Sequence, residues 1–256
     1  MRILTGIALF GFMTGAAVAA PRPVVVELFT SQGCSDCPPA DSLLRHVQAT
    51  DPDVLALDLH VTYWDSAAWT DPFSLQSATR LQHYYAALGH NPEIYTPQAV
   101  VDGRVQFVGS DRDAMTAAIE QAKARIDKSS VVPVSVAASG GRVSVRVESA
   151  KRSAGVAEIW LFGFDPEHTT RIAGGENGGA ALTEVNVVRS ATKLATWNGR
   201  VFAQDLAAPP GMKFAVVLQR ADGAILGAAT SRSVTRGKVS PSPDDVTSQR
   251  RLRNNL

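Results

Sequence analysis

An apolar run near the N-terminus leads directly into the two cysteines of the chain. Val24–Phe29 is short, mostly apolar and rich in β-branched residues, which is the composition of a buried parallel strand. A Ser-Gln-Gly turn follows, and then come Cys34 and Cys37, the only cysteines in the sequence. Apolar residues next recur at the spacing of one helix face: Ala40, Leu43, Leu44 and Val47. A Cys-x-x-Cys between a strand and a helix is typical of a redox motif.

The pattern continues as alternating helices and strands to about residue 128. Val54–Val61 predicts a second strand, and a strand-helix-strand unit of this size predicts a right-handed parallel crossover. A second helix is predicted to end at Gly89, a usual residue type at that position. Asp102-Gly103 is a hairpin turn signal between two further strands, and a last amphipathic helix follows. The predicted order is β-α-β-α-β-β-α.

From Val131 the chain changes to short strands separated by Gly, Asn and Pro turns. Val143, Val145 and Val147 alternate with polar residues, which is the pattern of a half-buried antiparallel strand. The predicted strands are 132–138, 142–148, 157–163, 182–188, 201–206, 213–219 and 224–229. So many short strands with regular turns predict a β-sandwich or similar all-β module over residues 131–233.

The two ends of the chain differ from its middle. Arg2, the apolar stretch 3–18 and Ala17-Val18-Ala19 predict a cleaved signal peptide over residues 1–19. The mature protein is then expected to be periplasmic or secreted, with no membrane span after cleavage. Residues 234–256 are polar and predict a disordered tail. The net charge of +1 and the lack of a clustered basic face argue against nucleic acid as a partner.

The element order from Val24 to Lys128, with two motifs inside it, resembles the thioredoxin fold. The Cys-x-x-Cys follows the first strand, and Thr96-Pro97 precedes the third, where thioredoxin-like proteins carry a cis-proline. The resemblance implies that Pro97 is cis, faces the cysteine pair and shapes a groove for an extended peptide. The expected architecture is an α/β thioredoxin-like domain, residues 22–128, followed by a C-terminal all-β, sandwich-like domain.

Several longer phrases are similar to one family of exported bacterial proteins, known as domain of unknown function 1223. They are ELFTSQGCSDCPPAD, HVTYWD with DPF, YTPQAVVDG with FVGSD, and GEN with LTEVNVVRS. These phrases cover both predicted domains. Membership of this family implies a thioredoxin-like domain and no established activity.

Two thiols in such a turn can close a disulfide and exchange it with a partner through a mixed disulfide. We predict Cys34 as the nucleophile and Cys37 as the resolving thiol, acting without a cofactor on a thiol- or disulfide-containing protein or a small thiol. Pro38 complicates this assignment. If Cys34 capped the helix, Pro38 would occupy the position that should donate the first intrahelical hydrogen bond, and proline has no N–H. Either the first turn is irregular, or the helix begins at Pro38 with Cys37 as its cap, and its dipole then favours a thiolate at Cys37. Asp36 raises the thiol pKa values through like-charge repulsion.

Two other functions fit the same cysteines. One is a non-catalytic binding module with a structural disulfide, although so small a loop gains little stability from the bridge. The other is a thiolate metal-binding or metal-delivery protein, in which His60, His83 or His90 completes a tetrahedral site. The histidines lack ligand-like spacing with the cysteines, so no metal is predicted.

Further candidate residues follow the second strand, whose carboxyl end is expected at the same sheet edge as the cysteines. Trp64 is either a groove wall or a core residue, and Asp65 is either a proton acceptor for the resolving thiol or the cap of a turn. His60 is expected to be a satisfied histidine at a strand end. With Thr96 and Pro97, Trp64 and Asp65 form the predicted substrate-binding set.

The segment 174–179, Gly-Gly-Glu-Asn-Gly-Gly, lacks the Gly-Lys-Ser/Thr ending of a phosphate-binding loop and is predicted to join two β-strands. Glu176 and Asn177 would touch a substrate only if this loop folds toward the cysteines.

Overall fold

The computed structural model describes residues 22–89, 93–150 and 154–231, which form three helices and eleven strands. The helices are α1 (Pro38–Thr50), α2 (Gln76–Leu88) and α3 (Arg112–Arg125). The first strands are β1 (Val24–Thr30), β2 (Val54–His60), β3 (Gln98–Val101), β4 (Val105–Val108), β5 (Val134–Ser139) and β6 (Arg142–Val147). The others are β7 (Ala157–Arg171), β8 (Ala181–Trp197), β9 (Phe202–Ala207), β10 (Lys213–Arg220) and β11 (Ile225–Thr230).

The first seven elements occur in the predicted order, from β1 to α3. Gly89 ends α2, as predicted, and its N–H donates to the carbonyl oxygen of Tyr85 at 2.9 Å. Asp102 and Gly103 make the turn between β3 and β4 with φ values of 53° and 68°. Such positive φ values are the reason that Asp-Gly is a strong turn signal.

The predicted fold class, a thioredoxin-like α/β domain followed by a separate all-β domain, is wrong. One mixed eight-stranded sheet contains strands from both halves of the chain, in the order β11-β10-β7-β8-β2-β1-β3-β4. β2 pairs in parallel with β1 on one side and with β8, through Asp58 and Val187, on the other. Periodicity shows which face of a strand is buried but not which strand lies at its edge, so the sequence pattern could not reveal this junction.

The sheet has different layers on its two faces. Apolar side chains of α1 and α3 pack on β1, β2 and β3, with Leu44 and Met115 among the fully buried residues. On the opposite face, α2 contributes Tyr85 to a core that also contains Phe162 of β7 and Val217 of β10. A second sheet, β5-β6-β9, forms a third core with β7 and β10. Strand β10 and the first part of β7, residues 157–164, are thus packed on both faces.

A side chain of β8 strengthens the junction between the two halves. Asn186 adopts a φ of 49° and donates two hydrogen bonds through Nδ2, to Gln48 Oε1 at 2.7 Å and to the carbonyl oxygen of Ala56 at 3.0 Å. Asparagine tolerates this left-handed conformation better than most residues. The side chain therefore supplies the contacts that the short β2–β8 pairing lacks.

Two turns from opposite halves also meet. A Cβ atom at Gly103 would lie 2.0 Å from the carbonyl oxygen of Gly223, and one at Gly223 would lie 2.2 Å from that of Gly103. The backbones are in direct contact, so neither position accepts a side chain without displacement. Both residues belong to Asp-Gly pairs, one between β3 and β4 and the other between β10 and β11.

The predicted signal peptide, 1–19, and tail, 234–256, lie outside the described residues, and the domain boundaries at residues 128 and 131 stay predictions. None of the helices in the described part of the chain is long and apolar enough to span a membrane.

Asn186→Ala removes both hydrogen bonds at the junction. It also places in β8 a residue that tolerates the left-handed backbone conformation less well than asparagine does. We expect Asn186→Ala to lose about 2–3 kcal/mol of unfolding free energy. Asn186→Gly should lose only about 1 kcal/mol, because glycine adopts the left-handed conformation freely. Denaturant unfolding followed by fluorescence and circular dichroism should show one transition for all three proteins. Two separate transitions, of which only one responds to Asn186→Ala, would contradict the coupling of the two halves.

Candidate functional site

The disulfide Cys34–Cys37 lies at the carboxyl end of β1, before α1. The turn is closed by backbone hydrogen bonds from Cys34 to Ser31 at 3.1 Å and from Cys37 to Cys34 at 3.2 Å. The helix begins at Pro38 with Cys37 at the N-cap, which is the second of the two starts that the sequence allows. Proline is well tolerated there, since the first helical N–H needs no partner inside the helix.

The predicted loop around Thr96 and Pro97 lies against the cysteines. The Thr96–Pro97 bond is cis, as the resemblance implied, and Cys34 Sγ is 3.9 Å from the carbonyl oxygen of Thr96. Trp64 joins the same group through a 2.7 Å hydrogen bond from Nε1 to Thr96 Oγ1. A Cβ atom at Gly33 would lie 3.2 Å from the carbonyl oxygen of Trp64, so the turn before the cysteines packs closely on this loop.

Asp65 is held inside its own loop. One carboxylate oxygen accepts from the backbone N–H of Asp71 at 3.0 Å, and the other accepts from Ser74 Oγ at 2.7 Å. This geometry is that of a turn cap, the simpler of the two interpretations of Asp65. Binding of a substrate by Thr96, Pro97, Trp64 and Asp65 stays a prediction.

A cluster of buried ionisable side chains lies behind the disulfide. Even-numbered residues of β1 and β2 face α1, and at the carboxyl ends of these strands they change from apolar to polar. The cluster comprises Asp41 of α1, Asp58 and His60 of β2, Asp71 of the following loop and Glu184 of β8, each at most 4% exposed. Thr30 Oγ1 donates to Asp41 Oδ1 at 2.8 Å, which ties α1 to β1 beneath the disulfide.

Two bonds connect this cluster to the turn that carries Cys34. The backbone N–H of Gln32 donates to Asp71 Oδ2 at 2.8 Å, and Gln32 Nε2 donates to Glu184 Oε2 at 2.8 Å. The same Asp71 oxygen lies 2.7 Å from His60 Nδ1. The other ring nitrogen, Nε2, lies 3.7 Å from Asp58 Oδ2 and 3.9 Å from Glu184 Oε1, which are charge contacts rather than hydrogen bonds.

Burial and charge shift the pKa values of this cluster in opposite directions. Burial by itself would lower the pKa of His60, but the carboxylates of Asp71 and Asp58 outweigh it and raise that pKa well above its usual range. Burial would raise the pKa of Asp71, but His60 lowers it. These two groups therefore form an ion pair.

The remaining carboxyl groups bind protons more strongly than usual. Burial, with the charge of Asp58 as a smaller cause, raises the pKa of Glu184 to about 7. Burial likewise raises the pKa of Asp58 and raises that of Asp41 well above its usual range. Glu184, which accepts a hydrogen bond from Gln32 in the turn before Cys34, can therefore hold a proton near neutral pH.

The sequence analysis missed this cluster except for His60. The available signal was an acidic residue inside the otherwise apolar run of β2, since a carboxylate rarely occupies a buried strand without a partner. For the metal-binding alternative, no three or more His, Cys, Asp and Glu side chains within the described ranges are arranged to hold a metal ion. His60 pairs with Asp71, and His90 lies outside those ranges.

The glycine-rich segment between β7 and β8 folds onto the cysteine turn. We refer to residues 172–180 as the hairpin tip. Asn177 Nδ2 donates to the carbonyl oxygens of Gln32 at 3.0 Å and Cys34 at 2.9 Å. Glu176 Oε2 accepts from the backbone N–H of Ser35 at 3.0 Å. The condition under which the sequence analysis gave these residues a role is therefore met.

The hairpin tip is also seated on the loop after β2. A Cβ atom at Gly174 would lie 2.2 Å from the carbonyl oxygen of Ala68. With the tip and this loop in place, Cys34 and Cys37 are only 1% and 0% exposed. Both cysteines are therefore shielded from solvent in this conformation.

The protein is thus mostly β, with one mixed sheet and a buried Cys-x-x-Cys disulfide. The site around this disulfide contains residues from both halves of the chain. The chain belongs to the family described as "Protein of unknown function (DUF1223)", whose model matches residues 25–219. No curated protein matches the sequence significantly.

Two solved structures are similar over most of the chain. Protein AGR_C_4864 from Agrobacterium tumefaciens is 29% identical, with a TM-score of 0.68 over 82% of this chain and 94% of that one. HBP35 of Porphyromonas gingivalis is 13% identical, with a TM-score of 0.56 over 87% of this chain and 80% of that one. At the lower identity, the likeness concerns the fold alone.

The raised pKa of Glu184 makes stability depend on pH. Its carboxyl group has a pKa of about 7 in the folded protein against an ordinary value of 4.5, so between these pH values the folded state binds more protons than the unfolded state. Stability from this group is present below about pH 4.5 and is lost as pH rises toward 7.

In Glu184→Gln we expect the decrease in unfolding free energy between about pH 4.5 and pH 7 to shrink by on the order of 2 kcal/mol. Glutamine can still accept the hydrogen bond from Gln32. Glu167→Gln, an exposed position on β7, is the matched control and should leave the slope unchanged. Denaturant titrations at several pH values measure the effect, and an unchanged slope in Glu184→Gln would show that Glu184 is ionised throughout.

Proposed function

We propose that this protein is a thiol-disulfide oxidoreductase that exchanges the Cys34–Cys37 disulfide with a protein or small-thiol partner. The observation that carries the proposal is the contact between the disulfide and the Thr96–Pro97 loop, with Cys34 Sγ 3.9 Å from the carbonyl oxygen of Thr96. A disulfide that served only to close the turn would not need this loop beside it.

The exchange begins when a partner thiolate attacks Cys34, forming a mixed disulfide and releasing Cys37 as a thiolate. A second partner thiolate then attacks the partner sulfur and releases Cys34. The two electrons come from two partner thiols, which leave as a disulfide, and the protons that they lose can go to the two cysteines. The reverse sequence reduces a partner disulfide: Cys34 is the nucleophile, Cys37 is the resolving thiol, and the partner leaves as two thiols.

The buried carboxyl groups support this chemistry. Glu184 has a pKa of about 7 and is linked through Gln32 to the turn before Cys34. A group with such a pKa can donate or accept a proton at neutral pH, which disulfide exchange requires. We further propose that the protein acts after export, in the periplasm or outside the cell, because residues 1–19 have the features of a signal peptide and such compartments maintain disulfides.

The second candidate is a non-catalytic module whose disulfide is structural. Its support is the burial of both sulfurs, which are 1% and 0% exposed. Buried cysteines are typically inert, whereas reactive ones are partly exposed. The two candidates therefore differ in how readily the disulfide equilibrates with solution thiols.

The reduction potential of Cys34–Cys37, measured in glutathione buffers, separates the candidates. An exchange catalyst is expected to lie above roughly −230 mV, whereas a structural disulfide lies below about −300 mV. We expect the first result, together with one thiol that reacts faster with an alkylating agent. A potential below −300 mV with slow alkylation of both thiols would overturn the oxidoreductase proposal.

Trapping of a partner tests which sulfur is attacked. Cys37→Ala should accumulate a mixed disulfide at Cys34 with a small disulfide reagent, because no resolving thiol remains. Cys34→Ala is the matched control and should accumulate much less. Faster trapping in Cys34→Ala would reverse the assignment and agree with the helix dipole acting on Cys37.

A further inference from the structure

The hairpin tip places a carboxylate on the amide that directly follows Cys34. Glu176 Oε2 accepts from Ser35 N at 3.0 Å, and Ser35 lies between the two cysteines. Among the described residues, Glu176 is the only side chain that accepts from a backbone amide between Cys34 and Cys37. Backbone amides that donate hydrogen bonds to a thiolate stabilise it. Here a negative side chain already accepts the hydrogen bond of the Ser35 amide.

Asn177 fixes the position of that carboxylate. Its side-chain amide donates to the carbonyl oxygens of Gln32 and Cys34, on either side of Gly33. The neighbouring Gly174 packs on the carbonyl oxygen of Ala68, which holds the tip from the other side. Glu176 is therefore anchored by its neighbours although its own side chain is exposed.

We propose that Glu176, held by Asn177, is a positioning residue that disfavours the Cys34 thiolate and so keeps the pair in the disulfide form. The inference rests on the proposed function and names how that site is controlled. Reduction converts a neutral disulfide into thiols or thiolates, and a thiolate at Cys34 would lie beside the Glu176 carboxylate and compete with it for the Ser35 amide. Because like charges repel, the Glu176 carboxylate would raise the pKa of the Cys34 thiol.

Other charged groups also lie around the turn, and they remain the same in the wild type and in the Glu176 variant. Asp36 lies between the cysteines, and Asp41 lies in the first turn of α1. The groups on the other packed elements are Asp58 and His60 of β2, Asp71 of the following loop and Glu184 of β8. Hydrogen bonds from Ser35 lower the pKa of Glu176, so Glu176 stays ionised while the thiols titrate.

The test replaces Glu176 with glutamine, which keeps an oxygen acceptor for the Ser35 N–H but removes the charge. The thiol pKa of Cys34 in reduced Glu176→Gln should fall, and alkylation of Cys34 below its thiol pKa should accelerate about threefold, the size expected of a solvent-screened charge. Above the thiol pKa, the equilibrium constant for reduction should rise by the same factor, which raises the reduction potential by about 14 mV.

The pH profile distinguishes charge from structure. The difference in potential between the two proteins should vanish well below the thiol pKa, where no thiolate forms, and should shrink in 1 M salt because the charge is screened. A constant difference at every pH, or none at any pH, would overturn the proposal. Glu167→Gln, on the same hairpin but away from the turn, is the matched control and should behave as the wild type.

Asn177→Ala tests the anchor separately. Without the two hydrogen bonds to the turn, the tip should hold Glu176 less firmly, and Cys34 alkylation should accelerate in Asn177→Ala while the further addition of Glu176→Gln adds little. Full additivity of the two changes would show that Asn177 does not act through Glu176. A wild-type potential above −230 mV with no effect of Glu176→Gln would refute this inference alone, whereas a potential below −300 mV would refute the oxidoreductase proposal itself.

Discussion

The parallel pairing of β8 with β2 is the constraint on which the rest of the structure depends. It joins the strands of the C-terminal half to those of the N-terminal half in one sheet, and Asn186 strengthens it by bonding Gln48 and the backbone of Ala56. The hairpin of β7 and β8, whose strands are 15 and 17 residues long, also reaches the cysteine turn. Glu184 of β8 bonds Gln32 behind the disulfide, and the hairpin tip bonds the turn itself. One strand pairing thus decides both the architecture and the composition of the site.

The buried charges behind the disulfide fit a site more readily than a simple core. Removing carboxylates from water costs several kcal/mol per group unless each is paired or protonated. Asp71 meets this cost by pairing with His60, while Asp41, Asp58 and Glu184 meet it through raised pKa values. An apolar cluster of similar volume would serve stability at least as well. Two hydrogen bonds of Gln32 connect the charged cluster to the turn that carries Cys34.

Much of the local structure could be predicted from the residues themselves. The first seven elements, the start of α1 at Pro38 and the turn at Asp102-Gly103 all follow from periodicity, proline chemistry and glycine geometry. The longer extent of β7 and β8 was not predictable in the same way. Their outer residues lack a continuous apolar face, because most of them are half-buried or exposed.

The sequence by itself determined the chemistry of the site, because the Cys-x-x-Cys turn and the Thr96–Pro97 step depend on residues that are close along the chain or have restricted backbones. Only the tertiary structure decided which distant residues join them. Glu184, Glu176 and Asn177 lie about 140 to 150 positions beyond the cysteines, and hydrogen bonds across that separation leave no periodic signal in the sequence. Periodicity reports the face that each strand buries, whereas the partner at its edge is set by the packing of the whole chain.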